Sequence, residues 1–267
     1  MADFLDRYGQ WALVAGAAEG IGAAFCEELA HKGMNVILVD VKHAEMETLA
    51  KKLEIRYTIK TIRLIIDLAL ETAPEQCMKA IRETGCRLLV YNAAYSRVKP
   101  FLDSDYEEMD FYISINTRTP LKLVHLFASE LTMKDQSGGV LLMSSLAGLY
   151  GTRLVAAYSG TKGFSLMLAE ALSHELRPFN IDVSACCAGA TATPGYLGSN
   201  PYAGFLSPPV MNPNQVAGLA LKNLGKKAVI IPGMANKISY FILVRILPRR
   251  WSAAIVNMAM KKTYRHL

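Results

Sequence analysis

Short, largely apolar runs alternate with longer stretches of helical spacing from the start of the chain, and no other feature limits the fold more. The runs cover residues 11–15, 35–39, 58–66, 87–91, 139–143, 181–186 and 228–231. A strand without a polar face must be covered on both sides, as in a parallel sheet flanked by helices. The intervening stretches supply helices at 21–31, 45–53, 74–84, 106–133 and 156–177. Pro120 is a point of irregularity in the fourth, and Pro178 ends the fifth. Strand–helix alternation of this kind builds right-handed βαβ units. The expectation is an α/β fold, a doubly wound seven-stranded parallel sheet in one domain over residues 1–233.

Composition agrees with a packed core. Hydrophobic residues make up 52% of the chain and charged residues 19%. The net charge of +6 is concentrated late, at positions such as Lys226, Lys227, Arg249, Arg250, Lys261 and Lys262. A local excess of this kind is not a general nucleic-acid footprint. The five cysteines form no CxxC pair, and buried thiols in a reducing cytoplasm are the simplest reading. Residues 1–8 carry Asp3 and Asp6 and do not read as a signal peptide. The five histidines show no metal-ligand spacing.

The first strand runs into Gly16-Ala17-Ala18-Glu19-Gly20-Ile21-Gly22 and then a helix. Glycines in such a turn let the backbone approach a pyrophosphate, and the helix N-terminus offers free N–H groups and a positive dipole end. Asp40 ends the second strand eighteen residues after Gly22. That is near the spacing of an acid that holds the adenosine ribose in a Rossmann-type domain. Its charge, with Glu19 beside it, favours NAD over NADP, while nearby Lys42 opposes this.

At this point the chain resembles the short-chain dehydrogenase/reductase family over residues 9–232. The TGxxxGIG pattern stands as Ala15 to Gly22, and the NNAG motif as Tyr91-Asn92-Ala93-Ala94. Asn116 matches the family's helix asparagine, and Ser145 its strand-five serine. YxxxK is Tyr158 to Lys162, and PGxxxT runs from Ala188 through Gly189 and Thr191 to Thr193. Ala15, Tyr91, Ala94 and Ala188 depart from the usual residues and leave every reacting group in place.

Tyr158 and Lys162 are four apart on a helix, so they share a face. An ammonium near a phenol lowers its pKa, and Tyr158 could then exchange a proton with a carbonyl oxygen as hydride moves at carbon. The resemblance implies that Lys162 also holds the nicotinamide ribose, that Ser145 bonds the substrate oxygen and that Asn116 anchors a water leading to Lys162. It further implies cofactor contacts at Asp67, Leu68, Asn92, Ala93, Ala94, Gly189, Thr191 and Thr193, with Ile21 in the turn. It implies pairing through the helices containing Asn116 and Tyr158, as a homodimer or homotetramer.

Residues 190–213 are too long and too rich in Gly, Pro, Ser and Asn for an ordinary connection. As a substrate loop they offer Tyr196, Tyr202 and Phe205, joined by Tyr95, Leu149 and Tyr150 from neighbouring loops. No Lys or Arg lies within the loop to meet an anion. An apolar ketone or secondary alcohol is therefore expected: a steroid, a long chain or an aromatic compound. A 3-oxoacyl thioester is the nearest alternative, and a non-catalytic dinucleotide sensor or scaffold the alternative of another class. Residues 234–267 read as two amphipathic helices with basic ends, suited to a membrane surface, a second subunit or the chain's own domain.

Overall fold

The computed structural model describes residues 2–202 and 209–265. Seven strands form one sheet: β1 (Trp11–Ala15), β2 (Asn35–Asp40), β3 (Thr61–Ile65), β4 (Leu88–Tyr91), β5 (Gly138–Ser145), β6 (Ile181–Ala188) and β7 (Val229–Ile230). Their order is β3-β2-β1-β4-β5-β6-β7, and every neighbouring pair is parallel. Strand order reverses direction between β1 and β4, so a crevice opens at their carboxyl ends.

Side chains alternate across the sheet. Ala12 and Val14 of β1 face one apolar layer, and Leu13 and Ala15 the other. The first layer is closed by Phe25 and Leu29 of α2 (Gly20–His31) and Met46 and Leu53 of α3 (His43–Tyr57). The second is closed by α4 (Ala73–Thr84), α6 (Thr119–Met133) and α7 (Ala156–Glu175) through Met78, Phe127 and Leu166.

The long helical stretch at 106–133 is not one helix. It divides into α5 (Tyr106–Ile113), a π-helical turn (Ser114–Arg118) and α6. Pro120 falls in the first turn of α6 and has no N–H to give to the carbonyl of Asn116, four residues back. The irregularity foreseen at Pro120 is thus expressed at Asn116.

Among the described residues three helices lie outside the sequence expectations: α1 (Ala2–Tyr8), the short α8 (Pro194–Gly198) and α9 (Pro213–Asn223). In α1 the Arg7 guanidinium forms two bonds to Asp182, at 2.9 and 3.0 Å, and the Tyr8 hydroxyl donates to the same carboxylate at 2.8 Å. In α9 the Asn212 side chain accepts from the Asn214 N–H at 2.9 Å, while Val216, Ala217, Ala220 and Leu221 are buried.

The C-terminal segment forms α10 (Met234–Phe241), a π-helical turn (Ile242–Ile246) and α11 (Arg249–Thr263), with Pro248 before α11. It packs on the chain's own loops. Asn257 accepts from the Arg153 N–H at 2.7 Å and donates to the Gly151 carbonyl at 3.0 Å. The Tyr202 N–H donates to the Thr263 carbonyl at 2.8 Å. Among the described residues no helix is long and apolar enough to cross a membrane.

Candidate active site

The turn between β1 and α2 is built as a cradle. Gly16 has a φ of +76°, and a Cβ there would lie 2.6 Å from the Ala93 Cα. A Cβ on Gly22 would lie 1.8 Å from the Gly16 carbonyl oxygen. Only glycine permits this approach. The Asn92 side chain ties β4 to the turn by donating to that oxygen at 2.8 Å. No side-chain cap occupies the N-terminus of α2 at Glu19, so its first N–H groups face outward for a phosphate. These features fit a dinucleotide.

Asp40 accepts from the Ala18 N–H at 3.0 Å with one oxygen, and from the Val41 and Lys42 N–H groups at 2.8 and 3.2 Å with the other. It therefore fastens the glycine turn to the end of β2. Lys42 is ion-paired to Glu19 at 2.7 Å beside it. Asp67 is exposed and accepts from the Ala69 N–H at 2.8 Å, and buried Leu68 accepts from the Thr119 hydroxyl at 2.8 Å. Ala94 is exposed and Ile21 half-buried. Across the crevice, a Cβ on Gly20 would meet the Thr193 methyl at 3.0 Å. Thr191 is buried and donates to the Gly189 carbonyl at 3.0 Å. The expected cofactor residues thus ring the carboxyl ends of β1 to β4 and β6.

Tyr158 and Lys162 share one face of the first turns of α7. Lys162 is 4% exposed, and its Nζ donates to the Met143 carbonyl at 2.7 Å. Burial pushes its pKa down to about 8. The lowering of the Tyr158 pKa expected from this ammonium is not found. Burial raises the phenol above its ordinary value, opposed by the nearby Ser145 hydroxyl. Ser145 ends β5 and accepts from the Ala147 N–H at 3.1 Å. Its neighbour Ser144 is buried and donates to the Lys162 carbonyl at 2.7 Å, so only Ser145 is directed to the phenol.

Asn116 is 2% exposed in the π-helical turn. Its side chain accepts from the Tyr95 N–H at 2.7 Å and donates to the Tyr95 carbonyl at 2.9 Å and the Thr161 hydroxyl at 3.0 Å. The Tyr91 hydroxyl donates to the Ile115 carbonyl at 2.7 Å, which gives this departure from the family motif a task beside Asn116. Sequence reasoning missed Thr161, Ser144 and Asn236. Asn236 is buried, donates to the Pro232 carbonyl at 2.9 Å and lies where a Cβ on Gly189 would stand, 2.7 Å away. No motif marks these residues, because each acts through a contact distant in sequence.

The expected substrate residues divide. Leu149 and Tyr196 are half-buried beside the crevice loops. The Tyr95 hydroxyl is spent on Glu108 at 3.0 Å, and buried Tyr150 donates its hydroxyl to the Leu243 carbonyl. Tyr202 carries the Arg265 guanidinium 4.5 Å from its ring centre. Phe205 lies outside the described residues. A cavity of about 430 Å³ opens between Tyr150, Thr152, Arg153, Ser159, Gly160 and Arg249. Neither Tyr158 nor Lys162 lines it, so it is not where these two groups would act.

A parallel sheet with a phosphate cradle at its switch point and a serine–tyrosine–lysine set beyond β5 defines a dinucleotide-dependent oxidoreductase. The chain belongs to the short chain dehydrogenase family, whose model matches residues 10–200. It is 32% identical to a 7beta-hydroxysteroid dehydrogenase of Clostridium sardiniense over 236 residues, covering 88% of this chain and 90% of that protein. It is 33% identical to a very-long-chain 3-oxoacyl-CoA reductase of Meyerozyma guilliermondii over 240 residues, covering 85% of this chain and 68% of the other. A solved 7beta-hydroxysteroid dehydrogenase structure superposes with a TM-score of 0.84 at 27% identity, covering 95% of this chain and 98% of that one. The protein is an oxidoreductase acting on hydroxyl and keto groups, and its family binds a nicotinamide dinucleotide.

Proposed function

We propose that the protein interconverts an apolar ketone and its secondary alcohol, with NAD as the hydride carrier. The observation that carries this reading is the placing of Tyr158 and Lys162 on one face of α7, with the Lys162 Nζ 5.6 Å from the centre of the Tyr158 ring. A bound nicotinamide dinucleotide supplies or accepts the hydride. Ser145 and Tyr158 hold the substrate oxygen, and Tyr158 gives or takes its proton. Lys162, freed from the Met143 carbonyl, holds the nicotinamide ribose and supplies the positive charge that the phenol lacks here. Asn116 offers a water its main-chain carbonyl, to which Pro120 cannot donate. Gly16, Gly20, Ile21 and Gly22 cradle the pyrophosphate, with Glu19 at the rim. Asp40 takes the ribose hydroxyls, and Asp67 and Leu68 lie by the adenine. Asn92, Ala93, Ala94, Gly189, Thr191 and Thr193 line the path to the nicotinamide.

Leu149, Tyr196 and the 190–213 loop shape the substrate pocket, and the hydroxysteroid dehydrogenase relative supports a steroid-sized substrate. The intact Asn116, Ser145, Tyr158 and Lys162 argue against a non-catalytic sensor. The chain pairs with a second copy through α6 and α7, whose Leu121 and Met167 are exposed. A second reading is reduction of a 3-oxoacyl thioester. Arg153 and Arg249 favour it, because they stand at the cavity beside the substrate loops, where a thioester's phosphates could lie.

The test is a panel of steroid ketones, aryl ketones, secondary alcohols and 3-oxoacyl thioesters, followed at the nicotinamide absorbance with NAD and NADP separately. Turnover of a steroid or aryl ketone with NAD supports the reading. Turnover confined to thioesters supports the second, and no turnover of any compound refutes both.

A further inference from the structure

In helices α10 and α11 the most buried positions are polar and much of the apolar surface faces outward. Asn236, Ser252 and Thr263 are buried beside half-buried Tyr240, Val256 and Met260, and Ser252 donates to the Leu243 carbonyl at 2.7 Å. The positions turned outward carry large apolar residues. On α10 and the π-helical turn after it, Ile238, Phe241 and Ile242 are 54%, 58% and 42% exposed. On α11, Trp251, Ile255 and Met258 are 54%, 47% and 59% exposed at positions i, i+4 and i+7, which make one stripe. A helix packed on a soluble domain normally shows the opposite arrangement. An apolar strip on both helices calls for a covering partner.

Charge says what kind of partner. No Asp or Glu follows Asp182, while ten Lys and Arg do. Lys237, Arg245, Arg249, Arg250, Lys261 and Lys262 are all exposed along these two helices and the π-helical turn between them. A second copy meeting this face by two-fold symmetry would bring those cations against each other. The complementary cover is apolar and negatively charged. Trp251 at the start of α11 and the paired lysines at its end are the residue types that sit at a lipid headgroup boundary.

We propose that the outward face of α10 and α11 docks on an anionic lipid surface, with the apolar stripe entering the acyl boundary and the cations meeting the headgroups. The proposal stands apart from the hydride reading. Through Tyr150, Asn257 and Thr263 the same helices hold the substrate loops, so the crevice would lie beside the lipid.

Flotation of the full chain with vesicles tests it. Phosphatidylcholine vesicles are compared with equimolar phosphatidylcholine–phosphatidylglycerol vesicles. The chain is expected to float with the mixed vesicles and to remain unbound with the neutral ones. Lys261→Gln with Lys262→Gln should lower partitioning on the order of 25-fold, at about fivefold per cation. Ile255→Glu should abolish flotation, with the melting temperature and the mass by light scattering unchanged. The proposal is overturned if the chain floats with neither vesicle, or binds both alike regardless of the lysines. It is also overturned if Ile255→Glu lowers the mass, which would make this face a contact between copies.

Discussion

The Lys162 Nζ stands 5.6 Å from the centre of the Tyr158 ring and gives its hydrogen bond to the Met143 carbonyl at 2.7 Å. The ammonium therefore steadies β5, while burial keeps the phenol above its ordinary pKa. The hydroxyl of Tyr158 is the group poised for proton transfer. Tyr158→Phe keeps the ring and removes that hydroxyl. It is expected to lower kcat/KM by roughly 100- to 10,000-fold, while the NAD dissociation constant by calorimetry stays within about twofold. Turnover near the wild-type rate would sink the mechanism.

Burial of Lys162 has a measurable cost. A pKa of about 8 against an ordinary 10.5 means that the folded chain holds this proton weakly, a penalty of roughly 3 kcal/mol at neutral pH. Lys162→Met removes the penalty and loses one charge-assisted hydrogen bond worth about 2 kcal/mol. The inactive variant should then melt roughly 3 °C above the wild type at pH 7. The sign with pH is fixed by linkage. As pH rises through about 8 toward 10.5, the folded chain releases the proton before the unfolded chain does. The unfolded state then binds more protons, so wild-type stability rises relative to Lys162→Met. A gap that widens over this window would contradict the assignment.

The sheet and the glycine cradle were readable because their signals are local. Apolar runs mark buried parallel strands, and Gly16 to Gly22 must be glycine-rich wherever backbone passes this close. The π-helical turn at Asn116 was hidden, because Pro120 pointed to an irregularity without saying what form it would take. Helix α1 was not readable, since its anchor is the contact of Arg7 and Tyr8 with Asp182, at the far end of the sequence. For Tyr150, the sequence offered a tyrosine near the crevice. Its turn toward Leu243 depends on where α10 and the π-helical turn after it pack.

Asp40 has two tasks that one substitution can separate. Its carboxylate holds the Ala18 N–H and supplies the charge that would repel a 2′-phosphate. Asp40→Asn retains an acceptor for Ala18 and removes the charge, leaving Lys42 beside the ribose position. The ratio of kcat/KM for NADP to that for NAD is expected to rise at least about tenfold, the effect of about 1.4 kcal/mol. A wild-type enzyme that already prefers NADP, or a ratio unmoved by the change, would refute the cofactor reading.

The end of α11 and the substrate loop are joined by the Ser199 and Tyr264 hydroxyls, 2.9 Å apart, beside the Tyr202–Thr263 bond. Tyr264 is buried, and its ring packs whether or not the hydroxyl is present. Tyr264→Phe therefore leaves packing in place and removes the hydrogen bond to Ser199, worth about 1 kcal/mol. Ser199 lies six residues beyond Thr193, the loop residue that meets Gly20 of the cradle. The KM for a bulky ketone should rise about fivefold, with the KM for NAD unchanged. Equal changes in both constants would mean that the bond supports the whole domain rather than the substrate loop.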